Sequence, residues 1–178
     1  LPKGVASMRS ALACAYNMIG EYQKALECEL EERFVYQKRR EKGVSSIFFE
    51  SNLDVYYGHT MLRMNNLEEA RKSLTSAINT KLRIDDIYYL LDAFTYRAET
   101  NIRLNKINDA YADCKKALKL SKQSKSKHNF AKLLNIICYY NMAITKYKQN
   151  QIPDSLKHFN EFLVKAEIFC KGFLVNNK

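Results

Sequence analysis

Glycine and proline are scarce in this chain, which has five glycines and two prolines among 178 residues. These two residues are frequent in the turns between β-strands and in disordered segments. Their scarcity therefore argues against a β-sandwich and against disorder, and favours long helices joined by short turns. No run of 18 apolar residues occurs, so we expect no membrane-spanning helix and no membrane partner. Apolar residues are nevertheless plentiful at 47%, with 27% charged residues, which is a globular composition.

The cysteines lack any pattern of pairing or metal binding. There are five of them, an odd number; none belongs to a CxxC pair, and no histidine lies at metal-ligand spacing from them. We therefore predict that they are small buried apolar residues in a reducing compartment, with the cytoplasm as the expected location. No metal ion and no cofactor are predicted.

Catalytic motifs are also missing. The chain has no GxxxxGK[ST], GxGxxG, HExxH or GxSxG sequence, and none of its three histidines has an acid and a nucleophile in a supporting pattern. One predicted helix carries a cluster of glutamates, which we expect to be solvated and paired with nearby basic residues. These glutamates are Glu27, Glu29, Glu31 and Glu32. No catalytic residue is predicted, and the chain is not expected to be an enzyme.

A recurring turn is the main feature that the chain does possess. It occurs at Gly20-Glu21-Tyr22, Asn65-Asn66-Leu67, Asn105-Lys106-Ile107 and Asn150-Gln151-Ile152. Glycine tolerates left-handed backbone angles freely and asparagine better than most residues, so each first position predicts the end of a helix. Three residues after each turn comes a small side chain. These small residues are Ala25, Ala70, Ala110 and Ser155, which are 45, 40 and 45 residues apart.

Two stretches with helical apolar spacing flank each turn. They predict helices over residues 6–18 and 22–40, 47–64 and 67–82, 86–104 and 107–123, and 129–149 and 152–173. A second small residue precedes each turn, at Ala13, Gly58, Ala98 and Ala143, and indicates a close approach of the two helices. We therefore predict an all-α array of four helix hairpins in a single domain over residues 1–178, with repeats at about 6–43, 46–83, 86–125 and 129–174.

These repeats resemble the tetratricopeptide repeat. The third repeat, RAETNIRLNKINDAYADCKKALKL, follows the pattern of that family nearly throughout, with Ala98 in its first helix, Asn105 at the turn and Ala110 in its second helix. The first repeat departs from the pattern at Glu29 and Glu32, where the family has Tyr or Phe and Ala. The spacing of 40–45 residues exceeds the family's usual length of about 34 and is similar to long-period arrays of bacterial regulators and sensor proteins. The resemblance implies a right-handed superhelical solenoid of four antiparallel helix hairpins.

The same resemblance implies a concave groove, lined by the first helix of each repeat, that binds a protein or peptide. It assigns to this groove Asn52, His59, Arg63, Thr95, Glu99, Arg103, Tyr140, Ile144 and Tyr147, and from the first repeat Ser10, Cys14 and Asn17. Arginine side chains there suit bidentate pairing with a carboxylate, and tyrosines suit anchoring. Because the chain starts without Met and almost directly on a repeat, we expect it to be the scaffold or sensory part of a larger bacterial signalling or transcription-regulatory protein. Any catalysis would then belong to a neighbouring domain, such as a histidine kinase or a diguanylate cyclase.

An uneven positive charge supports an alternative function. The net charge is +10, and basic residues outnumber acidic ones between Arg103 and Lys127. Lys115, Lys119 and Lys122 recur at helical spacing and predict a basic stripe, which would bind the phosphates of a nucleic acid or an acidic protein. In the family that these repeats resemble, second helices face the convex side, and no aromatic residues interleave with this run to stack on bases. Nucleic acid is therefore the less favoured partner.

Overall fold

Helices form at each of the eight predicted stretches in the computed structural model, which describes residues 3–44, 46–84, 87–123 and 129–176. The helices of these ranges are α1 (Lys3–Met18), α2 (Tyr22–Glu41), α3 (Ile47–Arg63), α4 (Leu67–Arg83), α5 (Ile87–Arg103), α6 (Ile107–Gln123), α7 (Asn129–Lys148) and α8 (Ile152–Asn176). No strand occurs within them, so the all-α class is confirmed there. The predicted helix ends lie within three residues of the observed ones. Residues 86, 124 and 125 of the predicted third repeat lie outside the described ranges.

Residues with left-handed backbone angles follow the ends of α1, α3, α5 and α7. Their φ angles are 83° at Gly20, 61° at Asn65, 58° at Asn105 and 58° at Asn150. After α3, for example, the N–H of Asn66 donates to the carbonyl of Met61 at 2.8 Å, and the N–H of Asn65 donates to that of Leu62 at 3.1 Å. This pair of bonds satisfies carbonyl groups that the end of a helix would otherwise leave without a partner. The prediction of left-handed helix ends at these four positions is confirmed.

Small residues are buried at the positions that flank the turns. Ala13, Ala25, Ala70, Ala98 and Ala110 are completely buried, and Ala143 is nearly so. Gly58 of α3 lies so close to α4 that a Cβ atom there would be 2.6 Å from Cγ of Leu74. The hydroxyl of Ser155 donates to the carbonyl of Ala143 at 2.9 Å, which joins α8 to α7. The small residues therefore allow the close helix packing that their spacing predicts.

The chain divides into two compact units, Leu1–Tyr89 and Leu90–Lys178, which we call unit 1 and unit 2. In unit 1, α1 packs on α2 and α3, α2 packs on α3, and α3 packs on α4. In unit 2, α6 packs on α7 and α7 packs on α8. Consecutive helices thus pack on one another within each unit. The expectation of a single domain stays a prediction.

A buried ion pair joins α5 to α6 in unit 2. Nε of Arg97 donates to Oδ2 of Asp113 at 2.9 Å, and a second guanidinium nitrogen donates to Oδ1 at 2.7 Å. Nδ2 of Asn101 also donates to Oδ2 of Asp113, at 3.1 Å. Next to it, Ala98, Cys114 and Met142 form a buried apolar cluster. The bidentate geometry fixes the two helices more specifically than apolar contact alone.

The cysteines differ partly from the prediction. Cys114 and Cys138 are buried, as expected, whereas Cys14 and Cys28 are half-buried and Cys170 is exposed. All five are free thiols. Within the described ranges, no helix combines the length and the apolar character needed to cross a membrane.

Candidate functional site

A cavity of about 170 Å³ lies in unit 1. The helices α1, α2, α3 and the start of α5 contribute its walls. The lining residues are Ser10, Ala11, Glu32, Tyr36, Phe49, Asn52, Tyr56 and Tyr89. Four of these side chains are aromatic, and only one is charged. The cavity is smaller than the roughly 300–1,000 Å³ of sites for drug-sized ligands, so it suits a single side chain or a small molecule.

Glu32 supplies the one charged group of the cavity wall, and it is only 3% exposed. The hydroxyl of Ser10 donates to its Oε2 at 2.6 Å, and the hydroxyl of Tyr36 also hydrogen-bonds to the carboxylate. Burial raises the pKa of Glu32, although these two hydrogen bonds and the positive charge of Arg9 oppose the rise. Burial, together with the charge of Glu32, raises the pKa of Tyr36 to about 12. The carboxylate is thus held in a fixed orientation by α1 and α2.

A buried lysine contacts two of the lining residues, Asn52 and Tyr89. Nζ of Lys81, a fully buried residue, donates to Oδ1 of Asn52 and lies 4.8 Å from the ring centroid of Tyr89. The same ammonium lies 4.6 Å from the ring centroid of Phe48. The hydroxyl of Tyr56 donates to that of Tyr89 at 3.2 Å, and their rings meet edge to face. Asn52, Tyr56 and Tyr89 are therefore pre-oriented by contacts within the protein.

A second buried polar cluster of unit 1 links α1, α2 and α3. Nδ2 of Asn17 donates to Oγ1 of Thr60 at 2.7 Å, and Oγ1 of Thr60 donates to Oε1 of Glu29 at 2.7 Å. Oε2 of Glu29 and Oδ1 of Asn17 are buried and have no hydrogen-bond partner among the described residues. Burial raises the pKa of Glu29 from 4.5 to about 7, because the hydrogen bond from Thr60 and the charge of Arg33 only partly offset desolvation. Glu29 is therefore a carboxyl group that titrates near neutral pH.

The expectation that the glutamates of α2 are solvated is wrong for Glu29 and Glu32. Both are buried, whereas Glu27 and Glu31 are exposed. Ala25, Glu29, Glu32 and Tyr36 follow one another at spacings of four, three and four residues, which places all four on one face of the helix. That spacing, together with the departure of Glu29 and Glu32 from the repeat pattern, was the sequence signal for this site.

Three of the predicted groove residues lie on α3 in unit 1. Asn52 lines the cavity, as does Ser10 of α1. His59 and Arg63 are half-buried, and Nε of Arg63 donates to Nε2 of His59 at 3.0 Å. Burial and the charge of Arg63 lower the pKa of His59 to about 3, so this imidazole is neutral at physiological pH. Of the other residues assigned to the groove from the first repeat, Asn17 lies in the second polar cluster and Cys14 is half-buried.

On α5 in unit 2, the predicted groove residues are largely engaged within the protein. Thr95 is 1% exposed, and its hydroxyl donates to the carbonyl of Leu91 at 2.7 Å. A guanidinium nitrogen of Arg103 donates to Oε1 of Glu99 at 2.7 Å. Thr95 therefore offers a ligand little surface, whereas Arg103 is an exposed charge with a fixed position.

On α7, the predicted groove residues are the most accessible. Tyr147 is 66% exposed, and Tyr140 is exposed while its ring packs on that of Phe162 at a centroid distance of 5.4 Å. Ile144 is half-buried. The contacts of these groove residues are all made to other residues of this chain. The groove assignment as a whole therefore stays a prediction.

The predicted basic stripe lies on α6. Lys115, Lys119 and Lys122 are all exposed, and Nζ of Lys115 lies 5.6 Å from the ring centroid of Tyr111. Lys125 and Lys127, which extend the basic run in the sequence, lie outside the described residues. The stripe is thus available to solvent, and its role in binding stays a prediction.

Several cavity residues were not singled out from the sequence. Tyr36, Phe49 and Tyr89 come from three different helices, and no local pattern marks them as neighbours. Within the described ranges, no group of three or more His, Cys, Asp or Glu side chains could hold a metal ion. A scan against models of known protein families finds no match, and a search of curated proteins finds no relative.

Proposed function

We propose that this chain is a binding module for a protein or peptide, built as a tetratricopeptide-like right-handed solenoid of four antiparallel helix hairpins. The observation that carries the proposal is the origin of the cavity lining in unit 1. Five of the eight lining residues come from α1 and α3, and a sixth comes from the start of α5. These are the first helices of three successive hairpins, the helices to which the resemblance assigns the binding surface.

Pre-oriented side chains on the first helices support the proposal. Contacts at i,i+4 hold Arg63 against His59 on α3 and Arg103 against Glu99 on α5. A side chain already held in one geometry loses less conformational entropy when it binds a ligand. Tyr147 of α7 adds an exposed aromatic ring, and tyrosine and arginine are the residue types that dominate binding energy at interfaces. Each unit therefore presents groups suited to a peptide.

The setting of this function is part of the same proposal. A module without catalytic residues acts by holding a partner, as the sensory or scaffolding part of a larger bacterial regulator does. The cytoplasm remains the expected location, on the basis of the cysteine pattern.

Selection from a random peptide library on the wild-type chain, followed by calorimetry, tests the proposal. We expect micromolar peptides whose affinity falls at least about tenfold in a combined Arg63→Ala, Arg103→Ala, Tyr147→Ala variant, which removes one side chain from each of α3, α5 and α7. The matched control combines Phe34→Ala, Lys72→Ala and Lys119→Ala. It removes one exposed aromatic ring and two exposed cations from the second helices α2, α4 and α6.

Circular dichroism would confirm that both variants keep their helices. An equal loss of affinity in the two variants would refute the assignment of the surface to the first helices. Failure to recover any peptide that binds the wild-type chain would refute the peptide-binding function itself.

The basic stripe supports a second candidate function, the binding of nucleic acid or of an acidic protein. Its three lysines are exposed on one helix, α6, where they could neutralise phosphates. Among the described residues, Tyr111 lies against the stripe, and its ring is near the ammonium groups of Lys115 and Lys146 rather than open to stack on a base. The salt dependence of DNA binding distinguishes this function from peptide binding.

A further inference from the structure

We propose that the cavity of unit 1 binds an organic ammonium group, either that of a small alkylamine or that of a lysine side chain in a peptide. The lysine source rests on the peptide-binding function proposed above, whereas the ammonium site does not. The inference comes from three properties of the cavity wall, namely its aromatic rings, its single carboxylate and its size.

The aromatic content of the wall favours a cation. Tyr36, Phe49, Tyr56 and Tyr89 line the cavity, so half of its lining residues present an aromatic ring. The face of such a ring attracts a cation, and aromatic cages are a general means of recognising organic ammonium ions. A neutral apolar ligand would also contact these rings, but it would bring no positive charge to the carboxylate of the wall.

The charge of the cavity wall also favours a cation. Glu32 is buried and forms no ion pair in the part of the chain that the structure describes; its hydrogen bonds come from the neutral hydroxyls of Ser10 and Tyr36. The nearby cation Arg9 forms its own ion pair with the exposed Glu31 at 3.5 Å. A buried carboxylate gains more from an opposite charge than an exposed one, because water screens the pair less. An ammonium ion in the cavity would supply that charge.

Lys81 shows that this surrounding accepts an ammonium group. Its Nζ lies against the rings of Phe48 and Tyr89 and donates to the amide oxygen of Asn52. Lys81 does not itself line the cavity, and these groups hold its ammonium in place. The cavity of about 170 Å³ has room for a short alkylammonium ion.

Ligand titrations on the wild-type chain test the proposal without any mutation. We expect n-butylammonium to bind with a millimolar Kd in NMR titrations, at least about tenfold more tightly than 1-butanol, which has the same alkyl chain without the charge. Sodium butyrate should not bind. Equal binding of the amine and the alcohol would overturn the proposal in favour of a merely apolar cavity. Tighter binding of butyrate would overturn it in favour of an anion site governed by Lys81.

A matched pair of variants locates the site. Glu32→Gln removes the charge and keeps the size of the side chain, so it should weaken n-butylammonium at least about tenfold and leave 1-butanol unchanged. Glu31→Gln makes the same chemical change at the next, exposed position of α2 and should leave both ligands unchanged. Retention of amine binding in Glu32→Gln would overturn the assignment to this cavity.

Two short peptides distinguish the source of the ammonium. Acetyl-Gly-Lys-Gly-amide is compared with the same peptide in which norleucine replaces lysine. Tighter binding of the lysine peptide, abolished by Glu32→Gln, would establish a peptide ligand. If n-butylammonium binds and the lysine peptide does not, the site accepts free amines, and only the lysine side chain is refuted as the source of the ammonium group. If neither binds, the ammonium site itself is refuted.

Discussion

A buried carboxyl group makes the stability of unit 1 depend on pH. Glu29 is completely buried, and Arg33, Glu32 and the hydroxyl of Thr60 are the groups that act on it. Its pKa is raised from 4.5 to about 7, mainly by burial. The folded chain therefore holds this proton more tightly than the unfolded chain does. The stabilising contribution is complete below about pH 4.5 and is lost as the pH rises through about 7.

The substitution Glu29→Gln should remove this pH dependence, because glutamine stays neutral at every pH. A pKa change from 4.5 to about 7 corresponds to roughly 3–4 kcal/mol. We expect the variant to be more stable than the wild type by about this amount near pH 8.5, and of similar stability near pH 5, in urea denaturation. Glu31→Gln, at an exposed position, should show no such change with pH. A stability difference for Glu29→Gln that is the same at both pH values would contradict the raised pKa.

The close approach of α3 and α4 at Gly58 leads us to predict that a side chain at this position lowers the stability of the protein. In Gly58→Ala the new Cβ would lie 2.6 Å from Cγ and 2.9 Å from Cδ2 of Leu74, which is completely buried. Alanine favours a helix over glycine by about 1 kcal/mol, but overpacking costs about 1–3 kcal/mol. We therefore expect a net loss of stability on urea denaturation.

A double-mutant cycle isolates the contact between these two residues. Leu74→Ala makes room for the new methyl group, so Gly58→Ala should be neutral or stabilising in that background. If Gly58→Ala destabilises both backgrounds equally, its effect does not come from Leu74.

At the scale of secondary-structure elements, the ion pair between Arg97 and Asp113 holds α5 against α6. Both side chains are largely buried. Asp113→Asn leaves the guanidinium of Arg97 in the interior without its counter-charge, which costs about 3 kcal/mol or more. We expect that loss in urea denaturation of the variant.

The control is the exposed i,i+4 pair of Lys171 and Glu167 on α8. Glu167→Gln removes a carboxylate from an ion pair in the same way, but water screens that pair, so the loss should stay below about 1 kcal/mol. Similar losses in the two variants would mean that burial does not strengthen the pair between α5 and α6.

The helices were predictable because their ends carry local signals. The left-handed conformations of Asn65, Asn105 and Asn150 depend on chemistry within a few residues, and the same holds for the small side chains that follow them. The burial of Glu29 was not predictable in this way. It depends on Thr60 and Asn17, which lie on other helices and are distant in sequence.

The cavity was also not predictable from local sequence patterns, because its lining combines residues between Ser10 and Tyr89 from four helices. Of the lining residues, only Ser10 and Asn52 were predicted to belong to a binding surface, through the resemblance to a repeat family. The three-dimensional arrangement was needed to bring Glu32 and the aromatic side chains together. Local patterns therefore predict the elements, and contacts between elements decide which polar side chains are buried.

At the scale of the whole molecule, the excess of positive charge is carried by the surface. The net charge is +10, and the stripe lysines are exposed, whereas Glu29 and Glu32 are buried. A molecule with this charge attracts polyanions through its long-range field, even where no site for them exists. Weak DNA binding by this chain would therefore not by itself establish a nucleic-acid function.

Two triple variants that lose the same charge distinguish long-range electrostatic attraction of DNA from a DNA-binding site on α6. One replaces Lys115, Lys119 and Lys122 by Gln, and the other replaces Lys24, Lys38 and Lys72, which are exposed on α2 and α4. We expect both to weaken binding to random-sequence DNA by the same factor across a salt titration, because each removes three charges from the field. A site on α6 predicts a different result: only the first variant would lose affinity, and the slope of log K against log salt would fall by about 2–3. That outcome would make the basic stripe a phosphate-binding surface and would favour the second candidate function.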